Sequence, residues 1–306
     1  MARPATLIVG GAGYFGARLA EALAPSQDVT VTYRSMSPVR QAWLDAAPVS
    51  AFAYDSARDT GLATDRSFDL VVNLAMPGAR EAQADPEAAM DRALATAGAC
   101  AALLTEGRAK RLVHFSTFHV YGGAGAPDYP EDTVPTPTHP YGATHLAVER
   151  ALAGSAAAEQ IAMVRPTNLV GAPAHRELGD QAGLIFLDLC RQAAETGRMV
   201  LRNDGLSYRD VLAFPDAVDA VRLLAEVPAL PYSIFNLAAG TAVTLQSIAE
   251  GIAEGLHDPV EIAYGDGTDP YRSEFHVDIS RLTALGWTPT HDFRAEAAQA
   301  VAAFRR

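Results

Sequence analysis

Seven residues near the N-terminus constrain the fold of this chain more than any others. They read Gly10-Gly-Ala-Gly13-Tyr-Phe-Gly16 and lie between an apolar run at 6–9 and a helical stretch at 15–23. In this setting Gly10, Gly13 and Gly16 give a tight turn, let the backbone approach a pyrophosphate and allow the helix to pack closely on the strand. The helix N-terminus adds free N–H groups and a positive dipole end. The turn therefore predicts a dinucleotide-binding site.

The rest of the first half alternates strands with helices. The pattern predicts strands at 6–9, 29–33, 49–54, 68–74, 111–116 and 161–165, and helices at 15–23, 39–46, 86–106 and 141–158. The predicted strands are nearly continuously apolar, which suits a sheet covered on both faces. The alternation of strands with helices implies right-handed crossovers between parallel strands. Further helices are predicted at 184–195, 216–226, 245–255 and 294–304, after a Pro- and Gly-rich loop at 122–140.

The predicted fold is α/β: a doubly wound parallel sheet of the Rossmann type with a smaller α/β C-terminal substrate lobe. We assign residues 1–165, with returning segments at about 206–238, to the dinucleotide-binding domain. Residues 166–205 and 239–306 are assigned to the substrate lobe.

Composition excludes several classes of function. The formal net charge of −12 argues against a general nucleic-acid binder, which needs a basic face. No apolar run is long enough to span a bilayer, so we expect a cytoplasmic protein without a membrane partner. Cys100 and Cys190, the only cysteines, lie far apart in helical stretches, which argues against a disulfide framework. No metal site is expected.

The second strand indicates which dinucleotide is bound. NAD-selective sites place a carboxylate at its end, whereas this strand ends in Tyr33-Arg34-Ser35. Because an arginine can pair with a 2′-phosphate through two hydrogen bonds, Arg34 favours NADP(H), with NAD as the alternative. The other residues expected to contact the cofactor are Gly10, Gly13, Tyr14, Phe15, Gly16, Asp55 and Ala75.

Six further segments carry a resemblance to a known family. They are FSTFHVYG at 115–122, HPYGATHLAVE at 139–149, RPTNLVGAP at 165–173, YRDVLAFPD at 208–216, NLAAG at 236–240 and LGWTP at 285–289. With the glycine turn, they resemble, in the same order, the extended short-chain dehydrogenase/reductase family of nucleotide-sugar epimerases, dehydratases and ketoreductases. The resemblance covers nearly the whole chain. It implies that Thr117 and Tyr141 hydrogen-bond the substrate hydroxyl or carbonyl, with Tyr141 giving or taking the proton.

The chain departs from the family at one catalytic position. Four residues after the tyrosine, relatives carry a lysine that lowers the tyrosine pKa and holds the nicotinamide ribose, and here that residue is His145. Three interpretations stay open. His145 replaces the lysine, with a pH dependence near neutrality; or the acid–base role has moved to His119; or the site binds without redox chemistry. In the first, Tyr141 and His145 also contact the cofactor.

His119 lies where dehydratases of the family carry a catalytic glutamate. The aspartate before that glutamate is replaced by Phe118, so a 4,6-dehydratase is disfavoured. On the substrate side, Asn168, Arg209 and Arg272 resemble positions that hold the diphosphate of a nucleotide sugar. We therefore expect an NADPH-dependent 4-ketoreductase of a nucleotide-linked sugar. The alternatives are a 4-epimerase with tightly bound NAD and a catalytically impaired binding relative. Relatives also suggest a homodimer.

Overall fold

The computed structural model describes residues 3–123, 125–179, 184–256 and 259–305. The strands of this part of the chain are β1 Ala5–Val9, β2 Asp28–Tyr33, β3 Ser50–Ala53, β4 Phe68–Asn73, β5 Ala109–Phe115, β6 Asp128–Tyr129, β7 Ile161–Pro166, β8 Asn168–Val170, β9 Arg198–Asn203, β10 Tyr208–Arg209, β11 Val211–Ala213, β12 Ile234–Leu237, β13 Val243–Thr244, β14 Glu261–Gly267 and β15 His276–Val277.

The helices lie between these strands and after them. They are α1 Tyr14–Leu23, α2 Pro38–Ala46, α3 Ala79–Ala84, α4 Pro86–Thr105, α5 Pro140–Ala153, α6 Arg176–Gly179, α7 Ile185–Thr196, α8 Phe214–Glu226, α9 Leu245–Glu254, α10 Ser280–Ala284 and α11 Phe293–Arg305. Two short 3₁₀ helices, Phe118–Tyr121 and Ala158–Gln160, complete the set of described helical segments.

Seven strands form one parallel sheet, in the order β12-β7-β5-β4-β1-β2-β3. The chain runs from β1 outward to β2 and β3, then crosses back to β4 on the other side of β1. Ligands of such sheets bind outside the carboxyl ends of the strands at this reversal. The glycine turn follows β1 directly and therefore lies at the reversal. The prediction of a doubly wound Rossmann sheet is confirmed.

Two apolar cores cover the two faces of the sheet. Ile8 points into the core that packs under α1 and α8, whereas Leu7 and Val9 point into the core under α4 and α5. This alternation explains why the central strand is apolar at every position. Cys100 is buried in the second of these cores and Cys190 in a third, and both are free thiols.

That third core belongs to the C-terminal half of the chain. It gathers apolar side chains from α7, α9 and α11 against the parallel pair β9–β14. Strand β12, by contrast, joins the edge of the main sheet beside β7. The chain thus returns to the large sheet before it completes the smaller lobe.

Two helices differ from the sequence-based expectation. The helix predicted at 141–158 ends at Ala153, since Gly154 closes it with a hydrogen bond from its N–H to the Arg150 carbonyl. The short helix α3 was not predicted, because its six residues carry no apolar period. Among the described helices, none combines the length and the apolar character needed to cross a bilayer.

Candidate active site

The glycine turn is packed so tightly that side chains are excluded at Gly10, Gly11 and Gly16. A Cβ on Gly10, whose φ is +80°, would lie 3.0 Å from the Ala75 nitrogen, and one on Gly16 would lie 2.7 Å from the Gly10 carbonyl oxygen. No side chain caps the N-terminus of α1 at Gly13. Its first N–H groups are therefore open to an anion, which is what a pyrophosphate requires.

A pocket of about 320 Å³ opens beside the turn. Of the residues predicted to contact the cofactor, five line this pocket: Gly10, Gly13, Arg34, Asp55 and Ala75. They come from the ends of four neighbouring strands of the sheet, so the fold itself brings them together. The size and position of the pocket suit the adenosine end of a dinucleotide.

Tyr14 and Phe15, which were also expected to contact the cofactor, are not among the residues that line this pocket. Phe15 packs on Phe115 and Phe214 in the core. The hydroxyl of Tyr14 donates to the Gly171 carbonyl and accepts from the Gly171 N–H at 3.1 Å. Both aromatic side chains therefore hold the start of α1 against the rest of the fold.

An arginine cluster lies at the ribose end of the pocket. The Arg34 Nη1 donates to the Glu81 Oε1 at 3.2 Å, and the Arg92 Nη2 donates to the same oxygen at 2.8 Å. Arg40 lies across the pocket and donates to the carbonyl and hydroxyl oxygens of Ser35. Arg34 is thus not a lone cation, and its neighbours from α2, α3 and α4 were not predicted.

Thr117 and Tyr141 meet at the carboxyl end of β5. Thr117 is buried, and its hydroxyl is hydrogen-bonded to that of Tyr141. Burial raises the pKa of Tyr141 above its usual value, and the hydrogen bond with Thr117 offsets only part of this effect. Tyr141 is therefore a neutral phenol at physiological pH in the protein alone.

His145 lies one helical turn after Tyr141, and its ring is 4.6 Å from the tyrosine ring between centroids. The residue is 2 % exposed, and neither ring nitrogen has a hydrogen-bond partner. Burial and the nearby His114 and His119 hold the pKa of His145 well below its usual value. The ring is neutral, so it does not supply the positive charge that a lysine would.

A second buried histidine faces this site from β5. The Nδ1 of His114 is 3.1 Å from the Asn73 Nδ2, and the Asn73 Oδ1 accepts from the Ala75 N–H at 3.1 Å. Since the amide oxygen is already occupied as an acceptor, its nitrogen must donate to Nδ1. His114 therefore carries its proton on Nε2, which has no partner. Burial lowers the pKa of His114 to about 3.

His119 and His139 flank Tyr141 on the side of the substrate pocket. The His119 ring lies 5.8 Å from the Tyr141 ring and 5.2 Å from that of His139 between centroids. Burial, with smaller contributions from His139 and Arg209, lowers the pKa of His119 to about 4. The Nδ1 of His139 accepts from the Gly142 N–H and so caps α5. Despite these histidines, no group of three metal-ligating side chains is found among the described residues.

A small pocket of about 50 Å³ adjoins His119 and is the candidate substrate site. Asn168 and Arg209, both predicted to bind substrate, line it. Arg209 lies over the Tyr271 ring and makes two hydrogen bonds to the Asp269 carboxylate, the shorter at 2.6 Å. A bound phosphate would compete with this carboxylate for Arg209.

Asp210 also lines the substrate pocket and was not predicted. Its Oδ1 accepts from the Thr167 hydroxyl and from the Ala239 N–H, whereas its Oδ2 is buried without a partner. Burial is the largest effect and raises the pKa of Asp210 to about 6. The carboxyl therefore gains a proton under mildly acidic conditions.

Arg272 does not join the other predicted substrate residues. It is half-exposed and pairs with Asp204 through two hydrogen bonds of 2.6 and 2.8 Å. It is absent from the residues that line the pocket with Asn168 and Arg209. The irregular segment after β14 carries Arg272 to the surface beside Asp204.

A buried ion pair connects the elements that carry the catalytic residues. Glu149, two turns after Tyr141 on α5, accepts from the Ser116 hydroxyl at 2.5 Å. Its carboxylate also receives two hydrogen bonds from Arg165 on β7, at 2.9 and 2.6 Å. Ser116 precedes Thr117, so this network fixes the end of β5 relative to α5.

A sequence model of the NAD dependent epimerase/dehydratase family matches residues 6–238 of the chain. The chain is 27 % identical over 303 residues to a UDP-glucose 4-epimerase of Streptomyces lividans, covering 93 % of this chain and 91 % of that protein. It is 32 % identical over 171 residues to a dTDP-L-rhamnose 4-epimerase of Burkholderia thailandensis, covering 53 % and 45 % of the two proteins.

The fold also resembles solved structures. A UDP-N-acetylglucosamine 4-epimerase from Methanobrevibacter ruminantium superposes with a TM-score of 0.83 at 20 % identity, over 99 % of each chain. At this identity the likeness concerns the fold alone. It extends over both the parallel sheet and the C-terminal lobe.

Proposed function

Because the chain belongs to the NAD dependent epimerase/dehydratase family, within the extended short-chain dehydrogenases/reductases, we propose that it is an NADPH-dependent 4-ketoreductase. Its substrate would be a keto sugar linked to a nucleotide. Gly10 and Gly13, the open N-terminus of α1 and the arginine cluster would hold the dinucleotide. The two unpartnered nitrogens of buried His145 fit the hydroxyls of its nicotinamide ribose. When bound, the cofactor supplies the hydride.

The position of Arg34 carries the proposal. Arg34 lines the cofactor pocket just after β2, where NAD-selective sites place a carboxylate, and this supports a reductase that exchanges NADPH. A reductase also needs a proton donor at the carbonyl oxygen, and the neutral phenol of Tyr141 holds that proton. Because burial raises the pKa of Tyr141 and neighbouring His145 is neutral, the phenol releases its proton less readily than a tyrosine beside a cation would. Thr117, beside Tyr141, would orient the carbonyl by donating to the same oxygen.

The substrate class follows from the side chains of the small pocket. Arg209 offers a planar guanidinium for a phosphate, and Asn168 lies beside it. His119 and Asp210 give the pocket polar groups that suit sugar hydroxyls. These features support a nucleotide-linked sugar, bound with its diphosphate near Arg209.

A 4-epimerase with tightly bound NAD is the second candidate. It is favoured by the curated relatives, since both of those described above are 4-epimerases of nucleotide sugars. Stoichiometric NAD that survives dialysis, together with interconversion of a UDP- or dTDP-sugar without added cofactor, would establish this candidate and overturn the reductase.

The reductase is tested by mixing the protein with NADPH and a nucleotide-linked 4-keto-6-deoxyhexose. We expect NADPH oxidation by the wild-type protein and a rate about 10²- to 10⁴-fold lower for Tyr141→Phe, which removes the proton donor. The matched control is Tyr264→Phe, at an exposed tyrosine on β14. Retained activity in Tyr141→Phe would exclude Tyr141 as the acid, and absence of turnover in every form would favour a binding protein that has lost its chemistry.

We also propose that the protein acts in the cytoplasm as a homodimer that pairs through α4 and α5. The outer face of α4 supports this proposal, since it exposes small residues at Ala95 and Gly98 that allow another helix to approach closely. In the same proposal, residues 166–205 and 239–306 form the substrate lobe.

A further inference from the structure

The carboxylate of Glu81 occupies the ribose end of the cofactor pocket. A single oxygen, Oε1, accepts hydrogen bonds from Arg34 at 3.2 Å and from Arg92 at 2.8 Å. Glu81 projects from α3, Arg34 follows β2, and Arg92 belongs to α4. Three separate elements thus place one anion between two guanidinium groups, beside the turn that would hold a pyrophosphate.

Stability does not explain why this ion pair lies here. The side chains of Arg34, Glu81 and Arg92 are 63, 33 and 28 % exposed. Ion pairs at such exposure typically contribute only about 0–1 kcal/mol to folding. The effect of the pair on a charged ligand in the same pocket is larger, because a phosphate and a carboxylate repel each other when they share two arginines.

The two dinucleotides differ at the position that this carboxylate affects. NADP carries a 2′-phosphate on its adenosine ribose, and that group would share Arg34 with the Glu81 carboxylate and be repelled by it. NAD carries a hydroxyl there, and this hydroxyl can donate a hydrogen bond to a carboxylate. The pocket also contains Arg40, which donates a hydrogen bond to Ser35. Among the described residues, Arg40 makes no hydrogen bond or ion pair with Glu81.

We propose that Glu81 weakens the preference for NADP over NAD by competing with the 2′-phosphate for Arg34 and Arg92. The wild-type protein then binds NADP less tightly than its arginines alone would allow, and neutralising Glu81 shifts its preference toward NADP. This inference rests on the proposed function only in that the pocket must bind a dinucleotide.

The test measures binding of cofactor fragments, so it does not depend on turnover. Dissociation constants of 2′,5′-ADP and 5′-AMP are measured by calorimetry for the wild type and Glu81→Gln. The glutamine keeps the shape and removes the charge. We expect the ratio of affinities to shift about threefold to tenfold toward 2′,5′-ADP, as the loss of two partly exposed ion pairs implies.

Two further variants make the outcome specific. Glu106 forms a comparable ion pair with Arg108, at 3.2 Å, and neither residue lines this pocket. Glu106→Gln should therefore leave the ratio of the two affinities unchanged. Adding Arg34→Met to Glu81→Gln should abolish the gain in affinity for 2′,5′-ADP relative to 5′-AMP. An unchanged ratio in Glu81→Gln, or weaker binding of 2′,5′-ADP, would overturn the role of Glu81. Failure of the wild type to bind either fragment would overturn the dinucleotide pocket itself.

Discussion

At the scale of single residues, the environment of His145 bears most directly on Tyr141, one helical turn before it. A histidine that replaces lysine suggests a cation that titrates near neutrality. In the structure the imidazole is buried without partners and its pKa is far below 6.5. A group that stays neutral across the physiological range cannot give an activity profile with a limb near pH 6.5, so we expect no such limb from His145.

Replacing His145 with lysine tests this difference. An ammonium group one turn from Tyr141 would stabilise the phenolate, so we expect the alkaline limb of kcat/KM against pH to move to lower pH. Thermal unfolding serves as the folding control, since a buried ammonium destabilises the protein. His145→Gln, which is polar and uncharged, should leave the limb in place. The same profile in all three proteins would show that residue 145 has no electrostatic effect on Tyr141.

Residues within contiguous motifs were predictable from the sequence, and residues that converge from separate elements were not. Thr117 and Tyr141 each lie in a recognisable segment, and the structure brings them into contact. Glu81 and Arg92 carry no local signal, because their role depends on how α3 and α4 pack beside β2. The orientation of His114 depends on Asn73, 41 residues away in sequence.

At the scale of secondary-structure elements, the Glu149–Arg165 pair holds α5 to the sheet. Both side chains are almost fully buried, at 3 and 2 % exposure. Removing one partner of such a pair leaves an uncompensated buried charge, which typically costs about 3–5 kcal/mol. We therefore expect Glu149→Gln to lower the free energy of unfolding by about that amount, measured with urea.

A double variant separates the charge from the packing. Glu149→Leu with Arg165→Met removes both charges, and we expect it to recover most of the stability. The exposed pair of Glu106 and Arg108 provides the reference, since Glu106→Gln should change the unfolding free energy by less than about 1 kcal/mol. An equal loss in single and double variants would mean that packing, rather than charge, accounts for the effect.

Element boundaries show where sequence patterns fail. Residues 155–160 are rich in alanine and favour helix, yet α5 ends before them. The chain must turn there because β7, which begins at Ile161, has to return beside β5. The position of a strand in the sheet thus overrides local helix propensity, which is weak by comparison.

At the scale of the whole molecule, the buried histidines make stability depend on pH. His114 and His145 titrate near 6.5 when unfolded and far lower when folded, with the pKa of His114 at about 3. Below pH 6.5 the unfolded chain binds more protons, so stability falls as pH falls. Asp210 acts in the opposite direction, since its raised pKa of about 6 favours the folded state as it gains a proton.

Because the lowered pKa values of His114, His119 and His145 outweigh the raised pKa of Asp210, we expect the unfolding free energy to be lower at pH 5 than at pH 7. His145→Leu should reduce this slope, by at most about 1.4 kcal/mol per pH unit, which is the limit for one proton. Leucine suits the test because His145 has no hydrogen bond to lose. His276→Gln, at an exposed histidine, is the control. An unaltered slope in His145→Leu would contradict the assignment of a depressed pKa.

The contact between Tyr14 and Gly171 has a consequence for recombination among related enzymes. It joins the start of α1 to a loop 157 residues later in the chain, in the segment that we propose as part of the substrate lobe. A Cβ on Gly171 would also lie 2.2 Å from the Phe214 ring. A chimera that joins this N-terminal half to another relative's C-terminal half therefore has to inherit the tyrosine and the glycine together. Crossover points between related enzymes are therefore best placed so that Tyr14 and Gly171 come from the same parent.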